Sequence, residues 1–435
     1  MLCFLWSFVS IMLKLCSVYI TMSLCFMVPC LVASTYKVFS YLEDGLIMYT
    51  NVNMILVFLT LSLTLLVTLS CWYVRDEKYN FMTLLLSLAL VSCFLSSSLL
   101  SFYVLFELSL LPILFLVISW GYQPERIQAS LYMVIYTILA SMPFMVLIFY
   151  LYLHSKSLSI NILSLSAMSM PSGLCFLGSM AFLVKLPVYG MHIWLPKAHV
   201  EAPLGGSMML AGVLLKLGGY GLYLYTSMVP WVITSYSMCF IISFSIWGGS
   251  LAAWQCFNQN DIKAMIAYSS IVHMSIVVMG LMSFSSWGQA SAIITMAAHG
   301  WVSSGLFLMA YITYTLVGSR SFTYTKGLLQ VVPVASLSWF IYCIWNMAVP
   351  PTINLVGELA IIPVSWMLSL KMLCVVLSVL FLSVGYNMYL YMYVNHGAMS
   401  GYINMFKPLC SAMYLPLVSH FMPLMLLFNM DLLYF

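Results

Sequence analysis

Apolar residues fill long stretches of this chain, and short polar segments separate them. A transmembrane helix needs about 20 mainly apolar residues to cross the hydrocarbon core of a bilayer. The pattern therefore predicts an all-α polytopic membrane protein with about fourteen transmembrane helices. The predicted spans are residues 2–13, 15–34, 51–72, 80–99, 101–119, 130–152, 173–195, 204–227, 231–255, 262–283, 289–317, 329–366, 370–393 and 412–433.

The chain begins with the apolar residues MLCFLWSFVSIML, with no basic segment ahead of them. A secretory signal starts with a positive charge, and a mitochondrial transit segment is amphipathic and rich in Arg. We therefore expect the first helix to be a permanent span rather than a cleaved leader.

Basic residues in the predicted loops are divided unequally between the two sides of the membrane. If the spans alternate in direction, nine fall on one side and three on the other. Because Lys and Arg accumulate on the side from which a chain is inserted, the larger group marks the matrix or cytoplasmic side. Both termini are then expected on the opposite side. The larger group is Lys14, Arg75, Lys78, Arg126, Lys197, Lys263, Arg320, Lys326 and Lys407, and the smaller is Lys37, Lys156 and Lys371.

The composition agrees with this class, since 64% of the residues are hydrophobic and only 6% are charged. Soluble domains carry about 25% charged residues. The twelve cysteines include no C-x-x-C pair and are expected to be small core residues, because zinc and iron–sulfur sites need clustered ligands. There is also no glycine-rich dinucleotide or phosphate-binding motif in a suitable context, so no cofactor is expected on this chain.

Four ionisable residues lie inside predicted apolar runs, namely Glu107, Lys185, Lys216 and Glu358. A charge in the middle of a membrane costs about 2.5–3.5 kcal/mol on insertion scales, and such residues are functional by default. The alternative is two buried ion pairs that hold helices together. We favour function, because apolar residues often replace a buried ion pair without loss of stability.

Two of these residues lie near prolines that break their helices. Pro187 follows Lys185, and Pro350 and Pro351 precede Glu358. Broken helices in corresponding halves of a chain mark the ion site of many transporters. The two broken spans are the seventh and the twelfth, so they cross in opposite directions. We therefore predict two inverted five-helix repeats, broken around Lys185–Pro187 and Pro350–Glu358.

The predicted organisation is N-terminal helices at 1–79, repeats at 80–227 and 231–393, and a C-terminal loop and helix at 394–435.

Histidines extend this set. Lys185, His192 and His199 are spaced by seven residues, which would place them on one helical face as a proton relay. Histidine suits this role because its ordinary pKa lies near neutrality. The alternative is that His192 and His199 are interfacial residues at helix ends. His273 and His299 are further relay candidates, although a lone His in an apolar helix is often a helix–helix hydrogen bond.

Lys197 and Glu201 follow the seventh predicted span in the same segment. We expect them to lie in a loop as a partly solvated pair. Such a surface pair contributes about 0–1 kcal/mol to stability.

Several segments resemble a known family. They are LVKLPVYGMHIWLPKAHVEAPLGGSMMLAGVLLKLGGYG, GYQPERIQASLYMVIYTILASMP, NQNDIKAMIAYSSIVHMS and PPTINLVGEL. They are similar to the subunit 4 family of mitochondrial NADH–ubiquinone oxidoreductase (respiratory complex I), which is antiporter-like. The resemblance covers about residues 80–395.

The resemblance implies a proton-translocating subunit in the mitochondrial inner membrane. The family's ionisable chain falls on Glu107, Lys185, Lys216 and Glu358, with His192 and His199 beside it. NADH, FMN, iron–sulfur clusters and ubiquinone are then bound by other subunits. The implied partners are neighbouring antiporter-like membrane-arm subunits and lipid, with no nucleic acid. The alternatives are a subunit of a multisubunit cation/proton antiporter, and a structural scaffold with static charge pairs.

Overall fold

The computed structural model describes residues 42–44, 47–71, 76–165, 171–228, 236–402 and 411–424. The predicted spans at 2–13 and 15–34 lie outside the described residues, as do Lys14, Lys37, Arg75 and Lys407. The first described element is a hairpin of two antiparallel strands, β1 (Leu42–Asp44) and β2 (Ile47–Tyr49).

Helices follow this hairpin. Those before the middle of the chain are α1 (Asn51–Ser70), α2 (Glu77–Phe94), α3 (Leu99–Leu108), α4 (Leu110–Trp120), α5 (Arg126–Ser155), α6 (Ile160–Leu165), α7 (Ser172–Lys185), α8 (Trp194–Glu201), α9 (Leu204–Met209), a π-helical segment (Leu210–Leu214) and α10 (Leu215–Met228). Those after it are α11 (Tyr236–Phe257), α12 (Ile262–Met282), α13 (Ser286–Val317), α14 (Leu328–Val331), α15 (Pro333–Asn346), α16 (Ile353–Leu368), α17 (Leu370–Asn395) and α18 (Ser411–Leu424).

Eight stretches of the described chain are long and apolar enough to cross a membrane. They are α1, α3 with α4, α5, the run from α9 to α10, α11, α12, α13 and α17. The predicted class is confirmed in its coarser form: the described ranges are mostly helical and contain many candidate membrane spans, although the β1–β2 hairpin departs from an all-α fold.

Two predicted spans are wrong as continuous helices. The span at 173–195 stops at Lys185, and the span at 329–366 is divided into α15 and α16. Each interruption contains proline, which lacks the N–H that a helix needs and clashes with the preceding turn. The predicted positions of the two breaks are therefore confirmed.

Hydroxyl side chains begin several of these helices. Thr50 Oγ1 accepts from Asn53 N at 3.3 Å, and Ser285 Oγ accepts from Gly288 N at 3.0 Å. These bonds satisfy N–H groups that have no partner inside the helix. At the other end of α13, Gly318 has a φ of 77°, which a glycine adopts without strain.

Burial separates a central group of helices from an outer one. In the most apolar 18-residue stretch of α13, 100% of the residues are buried, and the share is 94% in both α12 and the run from α9 to α10. In the corresponding stretch of α5 only 33% of the residues are buried, and this helix exposes large apolar side chains such as Leu139. The central helices hold the candidate site, and the outer helices expose the apolar side chains that a lipid environment favours.

Candidate functional site

Lys185 is the last residue of α7, and its side chain is buried. Its Nζ donates to the backbone carbonyl of Phe106 at 3.1 Å. The same nitrogen lies 3.1 Å from the centroid of the Phe106 ring, whose face attracts a cation. The end of α7 at the first helix break therefore places the ammonium group of Lys185 beside the last turn of α3.

Glu107 follows Phe106 directly in α3. Its carboxylate lies within electrostatic reach of Lys185, but the two groups form no ion pair within 4.0 Å in the part of the chain that is described. Glu107 Oε1 is also buried without a hydrogen-bond partner among the described residues. Glu107 and Lys185 are therefore neighbours that form no ion pair in this structure, so a static Glu107–Lys185 pair does not describe this geometry.

The chain around the first break satisfies its own backbone. Val188 N donates to Leu183 O at 3.2 Å, and Trp194 Nε1 donates to Val184 O at 3.1 Å. Carbonyls near Pro187 that lose their helical partner are thus bonded within the protein, as backbone at membrane depth requires.

Lys216 lies at the start of α10, directly after the π-helical segment, and is completely buried. Its Nζ donates to Ala211 O at 2.6 Å, and it lies 2.9 Å from His299 Nδ1. A π turn leaves a carbonyl without its usual α-helical partner, and such turns recur at functional sites. Lys216 Nζ therefore contacts one backbone acceptor, Ala211 O, and one titratable side chain, His299.

A connected row of titratable side chains begins at Lys216. The His299 ring in α13 lies 5.4 Å from the His273 ring in α12, measured between centroids. His273 Nδ1 then lies 3.6 Å from Glu358 Oε1 in α16. All four side chains are buried. The structure thus brings Lys216, His299, His273 and Glu358 together from four different helices.

The two lysines are carried by elements that touch at a glycine. A Cβ added at Gly218 would lie 3.1 Å from Lys185 Cβ and 3.0 Å from Leu186 N. The absence of a side chain at Gly218 therefore lets α10 approach the end of α7 closely. This contact places Lys216 and Lys185 on directly packed segments.

Two side-chain bonds hold the second break and the helix after it. Asn354 Nδ2 donates to Trp345 O at 2.9 Å across the interruption. Ser291 Oγ of α13 donates to Gly357 O at 2.7 Å, one residue before Glu358. The position of Glu358 is therefore tied to the same helix that carries His299.

Gly357→Ala is expected to lower the thermal stability of the protein. The new Cβ would lie 2.5 Å from Thr295 Cγ2 and 3.3 Å from Thr295 N. Thr295 is β-branched and stiff, so α16 has to move, at a cost of about 1–3 kcal/mol. The midpoint of thermal unfolding of the purified protein measures the effect. Gly173→Ala is the control, since its Cβ would meet nothing within 4 Å, and an equal decrease in both variants would contradict the argument.

The predicted shared face of Lys185, His192 and His199 is wrong, because the helix ends at Lys185. His192 lies in the break, where its Nδ1 accepts from Gly190 N at 3.1 Å and its ring stacks on Tyr189. A seven-residue spacing places side chains on one face only where the helix is continuous.

His199 lies in α8 and is fully buried. Its ring stacks on Phe307 with centroids 4.6 Å apart, and neither ring nitrogen has a hydrogen-bond partner among the described residues. Lys216 and Lys263 both lie within electrostatic reach. His199 therefore lies beside the row rather than in it, and its ring nitrogens without partners do not fit the alternative of a satisfied histidine at a helix end.

Cations hold the C-terminal end of α8. Lys263 Nζ donates to Ala202 O at 3.1 Å, and an Arg320 guanidinium nitrogen donates to Val200 O at 2.8 Å. Both carbonyls lie at a helix C-terminus, where positive charge is favourable. Arg320 also lies 3.4 Å from Glu201 Oε1.

The expected partly solvated pair of Lys197 and Glu201 is wrong. Both residues lie in α8 rather than in a loop, and Glu201 is only 3% exposed. The acid pairs with Arg320, while Lys197 Nζ lies 3.8 Å from the centroid of the Tyr132 ring. The reason is that α8 folds back into the protein after the break, which the continuous predicted span did not allow.

Sequence reasoning named every member of the row as a candidate but did not connect them. Lys216 and His299 are 83 residues apart along the chain, and His273 and Glu358 lie on two further helices. The π-helical segment was missed. A possible signal for the π segment is a lysine within a helix that is otherwise buried on all sides. Within the described ranges there is no group of three or more His, Cys, Asp or Glu side chains arranged for a metal ion.

The sequence and the fold of the chain are both similar to those of known proteins. The profile of the family described as NADH:quinone oxidoreductase/Mrp antiporter, TM, matches residues 96–384. The NADH-ubiquinone oxidoreductase chain 4 of Albinaria caerulea is 44% identical over 390 residues, which cover 89% of each chain. A chain of respiratory complex I from Thermus thermophilus with bound NADH is similar in fold, with a TM-score of 0.90, 20% identity, and coverage of 99% of this chain and 95% of that one. A chain of the Mrp complex from Dietzia sp. DQ12-45-1b has a TM-score of 0.86 and 16% identity, with coverage of 99% and 93%.

Proposed function

The chain belongs to the NADH:quinone oxidoreductase/Mrp antiporter family of membrane proteins, and from this premise we propose that it moves protons through its buried Glu, Lys and His side chains. It is a core membrane-arm subunit of the proton-pumping NADH:ubiquinone oxidoreductase, as the name of its relative from Albinaria caerulea supports. Electrons pass from NADH to ubiquinone in other subunits, so this chain contributes proton translocation to the enzyme and carries no redox centre.

The chain is a multi-pass protein of the mitochondrial inner membrane and part of a multisubunit membrane complex. Its partners are other membrane-arm subunits, especially neighbouring antiporter-like subunits, and lipid. NADH, FMN, iron–sulfur clusters and ubiquinone are bound elsewhere in that complex.

The proposed architecture has fourteen spans, with inverted repeats at 80–227 and 231–393 between the N-terminal helices (1–79) and the C-terminal segment (394–435). The two broken helices support this symmetry, since each lies beside an ionisable residue. Lys263 and Arg320 then face the matrix, and both termini face the other side.

The single observation that carries the proposal is the connected row from Lys216 to Glu358. A proton relay needs titratable groups within direct or water-mediated reach of one another. The row has a 2.9 Å contact from Lys216 to His299 and a 3.6 Å contact from His273 to Glu358, in a region closed to solvent. A structural scaffold has no need for two histidines between a lysine and an acid.

Glu107 and Lys185 supply the coupling element in this proposal. A proton-motive force of about 180 mV costs about 4 kcal/mol per proton, at about 2.3 kcal/mol per 100 mV. A Glu–Lys pair about 4 Å apart interacts by about 4 kcal/mol at an effective dielectric of about 20. Closing and opening this pair is therefore large enough to drive one transfer.

The open pair in the structure corresponds to one end of this cycle. When the pair closes, Glu107 holds the proton on Lys185. When it opens, Lys185 releases the proton toward Lys216, and the row carries it onward to Glu358. The Nζ of Lys185 is already bonded to the carbonyl of Phe106, the residue next to Glu107, so the ammonium group lies beside the backbone that carries the acid.

A subunit of a multisubunit cation/proton antiporter is the alternative, because a chain of the Mrp complex shares the fold. The two functions differ in their driving force. Sodium-driven proton exchange in vesicles without NADH would support the antiporter, whereas proton uptake that requires NADH oxidation supports the oxidoreductase subunit.

Glu107→Gln tests the proposal. The change keeps the shape of the side chain and removes the charge, so the complex is expected to assemble and NADH-driven proton uptake to fall about 100-fold, within the range for loss of a proton-transfer group. Vesicles containing the purified complex provide the measurement. Glu125→Gln, at an exposed acid after α4, is the matched control and should have no effect. Full activity in Glu107→Gln would contradict the coupling role, and loss of assembly would indicate a packing role.

A further inference from the structure

Two buried amides lie beside the His273–Glu358 contact. Asn346 is the last residue of α15, where the second break begins, and Asn387 lies within α17. Asn346 Nδ2 donates to Asn387 Oδ1 at 2.9 Å, and each side chain is 1% exposed. Polar groups are costly in such surroundings unless they are bonded, so the pair calls for an explanation.

The backbone of α17 fixes which way these amides face. Asn387 Nδ2 donates to Ser383 O at 2.8 Å. Because a carbonyl only accepts, the NH₂ group of Asn387 has to face Ser383, and its Oδ1 has to face Asn346. The NH₂ group of Asn346 is then committed to Asn387, which leaves Asn346 Oδ1 directed elsewhere as an acceptor.

The free acceptor of Asn346 lies near His273. The amide of Asn346 is within interaction range of the imidazole of His273. Asn346 Oδ1 and His273 Nε2 are both buried, and neither has a hydrogen-bond partner among the described residues. The other ring nitrogen, Nδ1, lies 3.6 Å from Glu358 Oε1. An amide oxygen takes only a donor, so it favours an imidazole N–H on its own side.

We propose that Asn387 and Asn346 are positioning residues that hold the His273 ring, with Nε2–H on Asn346 Oδ1 and Nδ1 directed at Glu358. This inference rests on the proposed proton path. In the transfer step the N–H bond at Nδ1 of the imidazolium breaks, and an O–H bond forms on the Glu358 carboxylate. The ring is left neutral with its remaining N–H on Asn346, so the ring is already oriented for the next proton.

Asn387→Leu tests this assignment. Leucine has about the same size and removes the acceptor that holds the Asn346 amide in orientation. We expect NADH-driven proton uptake by vesicles with the assembled complex to fall about tenfold, since a misplaced reacting group loses up to about 100-fold. Asn387→Asp should retain activity, because a neutral aspartic acid has an O–H for Ser383 O and an oxygen for Asn346.

Asn395→Leu is the matched control. Asn395 lies in the same helix, is also 1% exposed, and donates through Nδ2 to Tyr391 O at 3.1 Å, the same bond to the fourth preceding residue. It lacks the bond to Asn346. If the Asn387 amide were merely structural, Asn395→Leu would lower proton uptake as much as Asn387→Leu. The positioning role instead predicts normal proton uptake in Asn395→Leu.

The outcomes separate this proposal from the proposed function. Unchanged uptake in Asn387→Leu, or equal loss in Asn395→Leu, overturns the positioning role. If Asn387→Leu fails to assemble, Asn346→Ala removes the acceptor proposed for His273 Nε2–H itself without adding bulk, and unchanged uptake there overturns the positioning role too. Lys216→Met is measured alongside these variants. If Lys216→Met takes up protons normally, the proposed proton path itself is wrong. If Lys216→Met loses proton uptake while Asn387→Leu keeps it, only the role of the amide pair is refuted.

Discussion

Lys216→Met is expected to lower NADH-driven proton uptake by at least about 100-fold, while the complex assembles normally. Methionine keeps much of the length of the side chain and suits an apolar interior. It removes the nitrogen that bonds Ala211 O and lies 2.9 Å from His299 Nδ1, so the row loses its first member. Loss of a positioned proton-transfer group typically costs about 10²–10⁴ in rate.

The measurement is proton uptake per NADH oxidised in reconstituted vesicles. Lys371→Met is the control, because Lys371 is an exposed lysine at the start of α17. Lys216→Arg should recover little, since a guanidinium does not release its proton in this range. Normal uptake in Lys216→Met at a comparable rate of electron transfer would show that protons do not pass through this residue.

Lys185→Met is expected to lower proton uptake about tenfold or more, with assembly close to normal. The variant loses the ammonium group that bonds Phe106 O beside Glu107, and with it the pair that opens and closes. The apolar stem is largely retained, so packing around the end of α7 should survive.

Lys197→Ala is the companion control for Lys185→Met. Lys197 lies twelve residues later in α8, only partly buried, and contacts the Tyr132 ring rather than an acid. Its loss should have a mild effect. If Lys185→Met keeps the wild-type ratio of protons to NADH, the first helix break has no part in proton transfer.

The sequence predicted the broken helices and the buried charges because both break strong local rules. A proline inside an apolar run cannot continue a helix, and a lysine or glutamate at membrane depth is costly. Lys185 beside Pro187 shows both signals at once, so the sequence alone marked it as a candidate site residue.

The contacts between the buried titratable residues could not be predicted from the sequence, because they depend on how the helices pack. His299 meets Lys216 across 83 residues of chain, and nothing near either residue indicates the other. The predicted face of Lys185, His192 and His199 failed for a related reason, since helical spacing has no meaning across a break. Glu201 was misjudged because α8 turns inward to meet Arg320.

The π-helical segment also changes how the run from α9 to α10 meets its neighbours. A Cβ added at Gly205 would meet Tyr79 in α2 and Val67 in α1, and one at Gly212 would meet Leu63 in α1 and the Gly300 carbonyl in α13. A Cβ added at Gly219 would meet Met296 in α13. In an uninterrupted α-helix, positions seven apart would point in nearly the same direction, with a drift of about 20°. The wider turn acts as a rotational offset, so that a seven-residue repeat of glycines turns from α1 toward α13.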